Sequence, residues 1–249
     1  MGLIVQVYEI QTPEEAGKCM ELGVDHIGSV VLSREEWRVP SIRDVIRLSK
    51  GTGVRNSLIP LFQDPETIFR ALDYYRPHYI HFCDSLIDQG GRQADLEGLV
   101  NMQSSLKQRF PQTGIIRSIP IPENGKSAGF PTLRIARMLE PVSDIFLTDT
   151  WLGIEPVQNF IGITGKTSDW SLARELVLQS SIPVILAGGL SPENVYRALT
   201  EVMPYGADTC TRTNSVDQNG RAIRFKKDFG RVESFVKEVR RAEKAALTG

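Results

Sequence analysis

The stretch PVILAGGLSPENV, residues 183–195, sets two glycines where an apolar run stops, just ahead of a proline-led helix start. Without Cβ atoms the main chain can approach an anion closely and point its N–H groups at it, so Gly188 and Gly189 are candidates for holding a phosphate. A tight turn needing positive φ would ask for the same residues. Gly165-Lys166-Thr167 has the ending of a nucleotide phosphate loop, but the glycine that such a loop needs five positions earlier is replaced here by Phe160, and that motif is rejected. Cys19, Cys83 and Cys210 lie far apart, with no CxxC and no Cys/His cluster. They suggest neither a disulfide framework nor zinc, and no metal site is expected.

Which role the glycine pair plays depends on the elements that position it. Short bursts rich in β-branched residues, at 3–8, 26–32, 57–62, 78–83, 114–119, 144–149, 183–188 and 207–211, alternate with helix-period segments. Each burst is apolar on both faces, as buried parallel strands are. Thr12-Pro13-Glu14-Glu15, Asp64-Pro65-Glu66 and Ser191-Pro192-Glu193 each give a capping side chain, a proline for the first helical position and a carboxylate for the positive helix end. Arg76-Pro77, Glu140-Pro141, Ile182-Pro183 and Met203-Pro204 close the preceding helices. Eight strand–helix units in 249 residues predict an α/β fold, a closed (β/α)8 TIM barrel of parallel strands, with residues 1–249 as a single domain. An open dinucleotide-binding sheet is disfavoured, since no glycine fingerprint follows the first strand at Val7-Tyr8-Glu9-Ile10. In a barrel the turns after the seventh and eighth strands frequently hold phosphate, which favours the anion-binding role for Gly188 and Gly189. The polar run 214–227 reads as a loosened loop over the site.

Composition narrows the partners. Hydrophobic residues make up 41% and charged residues 24% of the chain, and 29 Lys+Arg against 30 Asp+Glu leave a formal charge of -1. That balance advertises no nucleic-acid or membrane partner. The start, MGLIVQVYEIQTPEE, has too short an apolar run for a membrane span and no basic flank, so a signal peptide is not expected. A reducing, cytoplasmic compartment fits the cysteine usage.

The chain resembles the phosphoribosylanthranilate isomerase family, (β/α)8 enzymes of tryptophan biosynthesis, over nearly its whole length. LAGGLSPENV (186–195) with PYGAD (204–208) is similar to the family's phosphate-end signature. Residues 162–170, GITGKTSDW, resemble its glycine-rich loop, and Phe62-Gln63-Asp64-Pro65-Glu66 its third-strand exit. Thr12-Pro13-Glu14-Glu15-Ala16 with 22–28 resembles its first unit. The resemblance implies an Amadori rearrangement of an aminoaldose phosphate to an aminoketose phosphate, without metal or cofactor. An acid opens the ribose ring and a base removes the proton from C2. Asp149 matches the family's general acid, and burial near an anionic substrate would help it keep its proton. The family's base, a cysteine near the end of the first strand followed by glycine, is missing: those positions hold Tyr8 and Glu9. Tyrosine ordinarily titrates near 10 and makes a poor acceptor. Glu9 is chemically able, but a strand's period of two points it away from the face of Tyr8 unless the chain bulges. His81 and Cys83, two apart on the fourth strand, share a face and are substitute bases, with core packing as the alternative.

For phosphate, the resemblance implies Gly188, Gly189, Gly165 in the glycine-rich loop, and the turn after the eighth strand. That turn reads Thr211-Arg212 where the family has a glycine in the place of Arg212. The family's arginine for the anthranilate carboxylate lies in the loop after the second strand, where Arg38, or else Arg34, is the candidate and Trp37 a ring to stack on it. The expected partner is a small phosphorylated sugar; homodimerisation stays open. Competing with an isomerase are a sugar-phosphate-binding paralogue with another substrate and a non-catalytic sensor on the same scaffold.

Overall fold

The computed structural model describes residues 2–88 and 90–248. Eight parallel strands close on themselves in chain order: β1 Ile4–Val7, β2 His26–Val31, β3 Arg55–Pro60, β4 Tyr79–Phe82, β5 Gly114–Pro122, β6 Ile145–Trp151, β7 Val184–Leu186 and β8 Gly206–Thr209. The seam pairs β1 with β8, Ile4 opposite Gly206 and Gln6 opposite Asp208. Between and after the strands run α1 Pro13–Glu21, α2 Pro40–Leu48, α3 Pro65–Tyr75, α4 Glu97–Arg109, α5 Thr132–Leu139, α6 Trp170–Gln179, α7 Val195–Val202 and α8 Phe229–Thr248. This is the (β/α)8 barrel that the alternation of apolar bursts and helix periods predicts.

Helix starts follow the local chemistry. The Thr12 hydroxyl accepts from the N–H of Glu15, Asp64 from Thr67 at 2.8 Å, and Asp169 from Ser171 and Leu172. The start expected at Ser191-Pro192 falls later: these residues form a turn, and α7 begins at Val195. There the Asn194 side chain reaches back to the N–H of Ser191 and closes the turn, displacing Ser191 as cap. Before Pro77 and Pro204 the chain escapes helix through left-handed Arg76 (φ 51) and Met203 (φ 55). The Pro Cδ that follows disfavours the right-handed conformation at those residues.

Strand periodicity divides the side chains between two layers. Outward residues pack against the helices in two large clusters, one of which holds Ile27, Ile121 and Phe146 and the other Leu58, Ile80 and Ile115. Inward residues fill the barrel: Val30, Ile59, Ile116, Leu147 and Ile185, with Tyr8 lying across the axis. Gly28 makes room for Tyr8, since a Cβ there would lie 2.0 Å from the phenol ring. Among the described residues no helix is long and apolar enough to cross a membrane.

The segment 214–227 corrects the expected loose loop. It forms an antiparallel hairpin, β9 Asn214–Val216 and β10 Ala222–Lys227, with a turn fixed by Asp217, whose carboxylate accepts from the N–H groups of Asn219 and Arg221. Its register is irregular, with Phe225 left-handed at φ 60, and Glu9, buried just after β1, holds it to the barrel.

Candidate active site

At the C-terminal ends of the strands opens a cleft of about 770 Å³ counted to its mouth, of which about 80 Å³ has room for the centre of a water molecule. Phe160 and Ile161, from the segment between β6 and α6, pack down into the barrel mouth and make it narrow. Tyr8, Glu9, Asp149, Gly188, Gly189 and Asp208 all line it.

Asp149 projects inward near the end of β6. Burial pushes its carboxyl up to about 7, against the pull of a single N–H bond from Thr150 at 2.9 Å. The segment crossing above leaves space for it only because residue 162 is glycine: at φ 107, a Cβ there would lie 2.3 Å from an Asp149 oxygen. Asp208 on β8 faces the same cleft. Burial raises it to about 8, with the charge of Asp149 contributing, while an N–H bond from Gln6 (3.1 Å) works the other way. Two carboxyl groups therefore keep protons near neutrality.

The candidate bases separate sharply. The Tyr8 hydroxyl lies 2.7 Å from Nδ1 of His81 and accepts from Ser57 at 2.8 Å, and burial lifts it well above its ordinary value. With Ser57 donating to the phenol oxygen, the phenol proton goes to Nδ1, and Nε2–H of His81 faces Ser118 Oγ at 2.8 Å. His81 is pushed down to about 3, by burial and then by the charge of Arg117. Neutral and committed at both nitrogens, it serves to fill the barrel and has no lone pair left for a substrate proton. Cys83 lines the cleft, but burial drives its thiol far up, so it stays protonated.

Glu9 departs from the strand geometry expected for it. A left-handed backbone, φ 63, ends the alternation and turns the side chain into the cleft beside Tyr8. There it is 2% exposed, its Oε1 accepting from Nε of Arg224 at 2.7 Å and its Oε2 from Asn214 and from the N–H of Phe225, each at 3.2 Å. Burial would raise the carboxyl, but the charge and hydrogen bond of Arg224, with Lys227 and the Phe225 amide, outweigh it and hold Glu9 below the usual range. Glu9 is the ionised carboxylate of the cleft.

At the other end of the cleft the glycine pair meets a close approach. Gly188 (φ 92) and Gly189 (φ 62) run under residues 166–168, where a Cβ would come within 2.4 Å of Thr150 Oγ1 and 2.5 Å of the Lys166 carbonyl carbon, respectively. Positive φ and bare backbone are thus both required. Gly165 (φ 60), Thr211 and Arg212 complete this end. Arg212 sits in a right-handed single turn, Thr211–Thr213, and donates from Nε to the Gly165 carbonyl at 2.9 Å. Beneath, the buried hydroxyl of Ser168 has no hydrogen-bond partner.

Arg38 is exposed and does not line the cleft; its guanidinium lies over the Trp37 ring, 4.7 Å from the centroid. Trp37 itself is buried in the cluster packed by α2 and α3, edge-on to Tyr74 in α3. Arg34 is likewise absent from the cleft wall. Arginines there come from the far end of the chain, Arg212 and Arg224. Sequence reasoning missed Arg224 and Asp208 as site residues. Asp208 had a signal in the strand period, which sets it two residues from Gly206 on the same face of β8; Arg224, in the irregular strand β10, had none. Among the described residues no group of three or more His, Cys, Asp or Glu is arranged to hold a metal ion.

A closed barrel with glycine-built turns after β7 and a further turn after β8 has the form of (β/α)8 enzymes that hold phosphorylated small molecules at that rim. Residues 103–238 match the family model of N-(5'phosphoribosyl)anthranilate (PRA) isomerase, more than half of the chain, and the chain belongs to this family. The N-(5'-phosphoribosyl)anthranilate isomerase of Methanocella arvoryzae is 29% identical over 239 residues, covering 95% of this chain and 97% of that protein. That of Haloferax volcanii is 41% identical over 110 residues, 44% of each chain. Among solved structures, phosphoribosyl anthranilate isomerase from Thermotoga maritima superimposes with a TM-score of 0.69 at 19% identity, covering 96% of this chain and 98% of that one. The Pyrococcus furiosus enzyme gives 0.66 at 21% identity, covering 96% and 99%. The matched span begins in α4: it contains Asp149, the glycine pair, Asp208 and Arg224, whereas Tyr8, Glu9 and His81 precede it.

Proposed function

We propose that this chain isomerises N-(5'-phosphoribosyl)anthranilate, with Asp149 as general acid and Glu9 as general base. The observation that carries the reading is the Asp149 carboxyl, facing inward from β6 and lifted to about 7, because ring opening needs a proton donor that survives at neutral pH. Asp149 gives its proton to the furanose ring oxygen. The C1–O bond breaks as the anilino nitrogen's lone pair forms the C1=N iminium, leaving Asp149 as carboxylate. Glu9 then takes the proton from C2, and the C2–H electrons move to make the C1=C2 bond while the C=N pair returns to nitrogen. The resulting enol tautomerises to the ketone, completing the shift from aldose to ketose.

Glu9 fits the base because it is ionised on the cleft wall at the end of β1, while Tyr8, His81 and Cys83 hold or lack protons in the wrong sense. The phosphate would lie on the amides of Gly188 and Gly189, with Thr211 and Arg212 beside it. A structural relative has been described in complex with a reduced carboxyphenylamino-deoxyribulose phosphate, which supports a small phosphorylated sugar as ligand. Complementation tests the reading: a tryptophan auxotroph lacking this isomerase is expected to grow with the wild-type chain and not with Asp149→Asn. No growth with soluble wild-type protein would overturn it and favour a paralogue with another substrate or a sensor.

A further inference from the structure

We propose that Arg224, on the hairpin after β8, is the residue that receives the aryl carboxylate of the substrate. The assignment rests on the isomerase reading above, which gives the substrate an ortho-carboxylate needing a cationic partner. The loop after β2, where the sequence offered Arg38 and Arg34, supplies none to the cleft. Arg224 does line it, and its guanidinium is only partly used. Nε is bonded to Glu9, while the second terminal nitrogen, Nη2, is buried without any hydrogen-bond partner. A buried, unpaired guanidinium N–H is costly, and a carboxylate is the acceptor that suits it. The cleft that Arg224 lines is also walled by the apolar side chains of Val30, Ile59, Leu61 and Phe160, so a cation and an apolar surface share it. A benzoate has both halves of that surface, an aromatic face and an anionic edge.

The geometry joins recognition to chemistry. Arg224 is also the chief partner that keeps Glu9 a weak base, through Nε. A second carboxylate on the same guanidinium shares its charge, and Glu9 becomes more basic when substrate is seated. Binding of the correct aryl acid thus readies the group that takes the C2 proton.

The test compares two ligands: the reduced product analogue 1-(2-carboxyphenylamino)-1-deoxyribulose 5-phosphate and the same compound without its carboxyl group. Binding to the full chain is measured by calorimetry for wild type, Arg224→Met, Arg224→Lys and Arg38→Met. Wild type is expected to prefer the carboxylated ligand by about tenfold or more, the worth of one charge-assisted bond. Arg224→Met erases the preference while keeping the affinity for the decarboxylated ligand, Arg224→Lys restores part of it, and Arg38→Met retains it in full. A preference that survives in Arg224→Met, that disappears in Arg38→Met, or that wild type lacks overturns the assignment alone. Equal loss of both ligands in Arg224→Met marks a structural role and also overturns it. Wild type that binds neither ligand overturns the isomerase reading and this assignment with it.

Discussion

Replacing Asp149 with Asn removes the proposed acid and should make the protein more stable, by an amount that depends on pH. The carboxyl rises from its ordinary 3.8 to about 7 in the folded chain. Below pH 4 folded and unfolded chains both hold the proton, and burial of the neutral acid resembles burial of the amide. Between about pH 4 and 7 the unfolded chain releases its proton while the folded one keeps it, so wild-type stability declines at up to about 1.4 kcal/mol per pH unit. Above 7 the folded carboxyl must ionise in its buried site, and the full penalty stands. The whole rise corresponds to about 4 kcal/mol; residual exposure of the residue and solvent screening reduce the expectation to about 2–4 kcal/mol. Asparagine keeps the oxygen that accepts the Thr150 N–H. Asp208 titrates in both proteins and relaxes when the Asp149 charge is gone, which adds in the same direction above pH 7. Urea titrations of both proteins at pH 4.5, 6 and 8 measure the difference. A stability advantage of Asp149→Asn that fails to grow across this range would refute the buried, proton-holding carboxyl, and the catalytic assignment built on it. The same variant should lose about 10²- to 10⁴-fold in turnover.

Three further outcomes are expected. kcat/KM should be level from pH 5 to 6 and decline above about 7, as Asp149 loses its proton; a rate that climbs through pH 8 would point to a thiolate such as Cys83 as the base. Gly189→Ala forces a Cβ to within 2.5 Å of the Lys166 carbonyl carbon at φ 62. It should cost about 1–3 kcal/mol in thermal or urea unfolding, with weaker inhibition by inorganic phosphate. Tyr8→Phe strips His81 and Ser57 of their shared partner and should cost about 1–3 kcal/mol of stability while kcat/KM stays within about threefold; a loss beyond about 100-fold would make Tyr8 a catalytic group.

Much of the architecture was legible because it rests on local signals. Buried parallel strands demand continuous β-branched runs, and helix starts demand caps such as Thr12 and Asp64, so all eight strands and these helix starts could be read from the chain. Gly188 was picked out by its place after the seventh strand, whereas Asp149 was picked out only by the family resemblance. Glu9 was not legible: a single left-handed residue reverses its direction, and nothing in Val7-Tyr8-Glu9-Ile10 announces that turn. Arg38 was chosen from the family resemblance, and the structure sets its guanidinium on Trp37, whose ring packs against α3, and not on the cleft wall. Ser191 lost its capping role to a contest with Asn194 that only the folded turn decides. Arg224 could not be found at all, because its meaning comes from a contact spanning 215 positions in the chain.

That contact also ties the placing of the proposed base to the closing of the barrel. Glu9 follows β1, and the hairpin that holds it follows β8, the strand that closes the seam with β1. With the seam open, Glu9 keeps its charge but loses Arg224, Asn214 and the Phe225 amide, the groups that hold its carboxylate in the cleft. Sealing the cylinder and seating its proton acceptor are therefore one event.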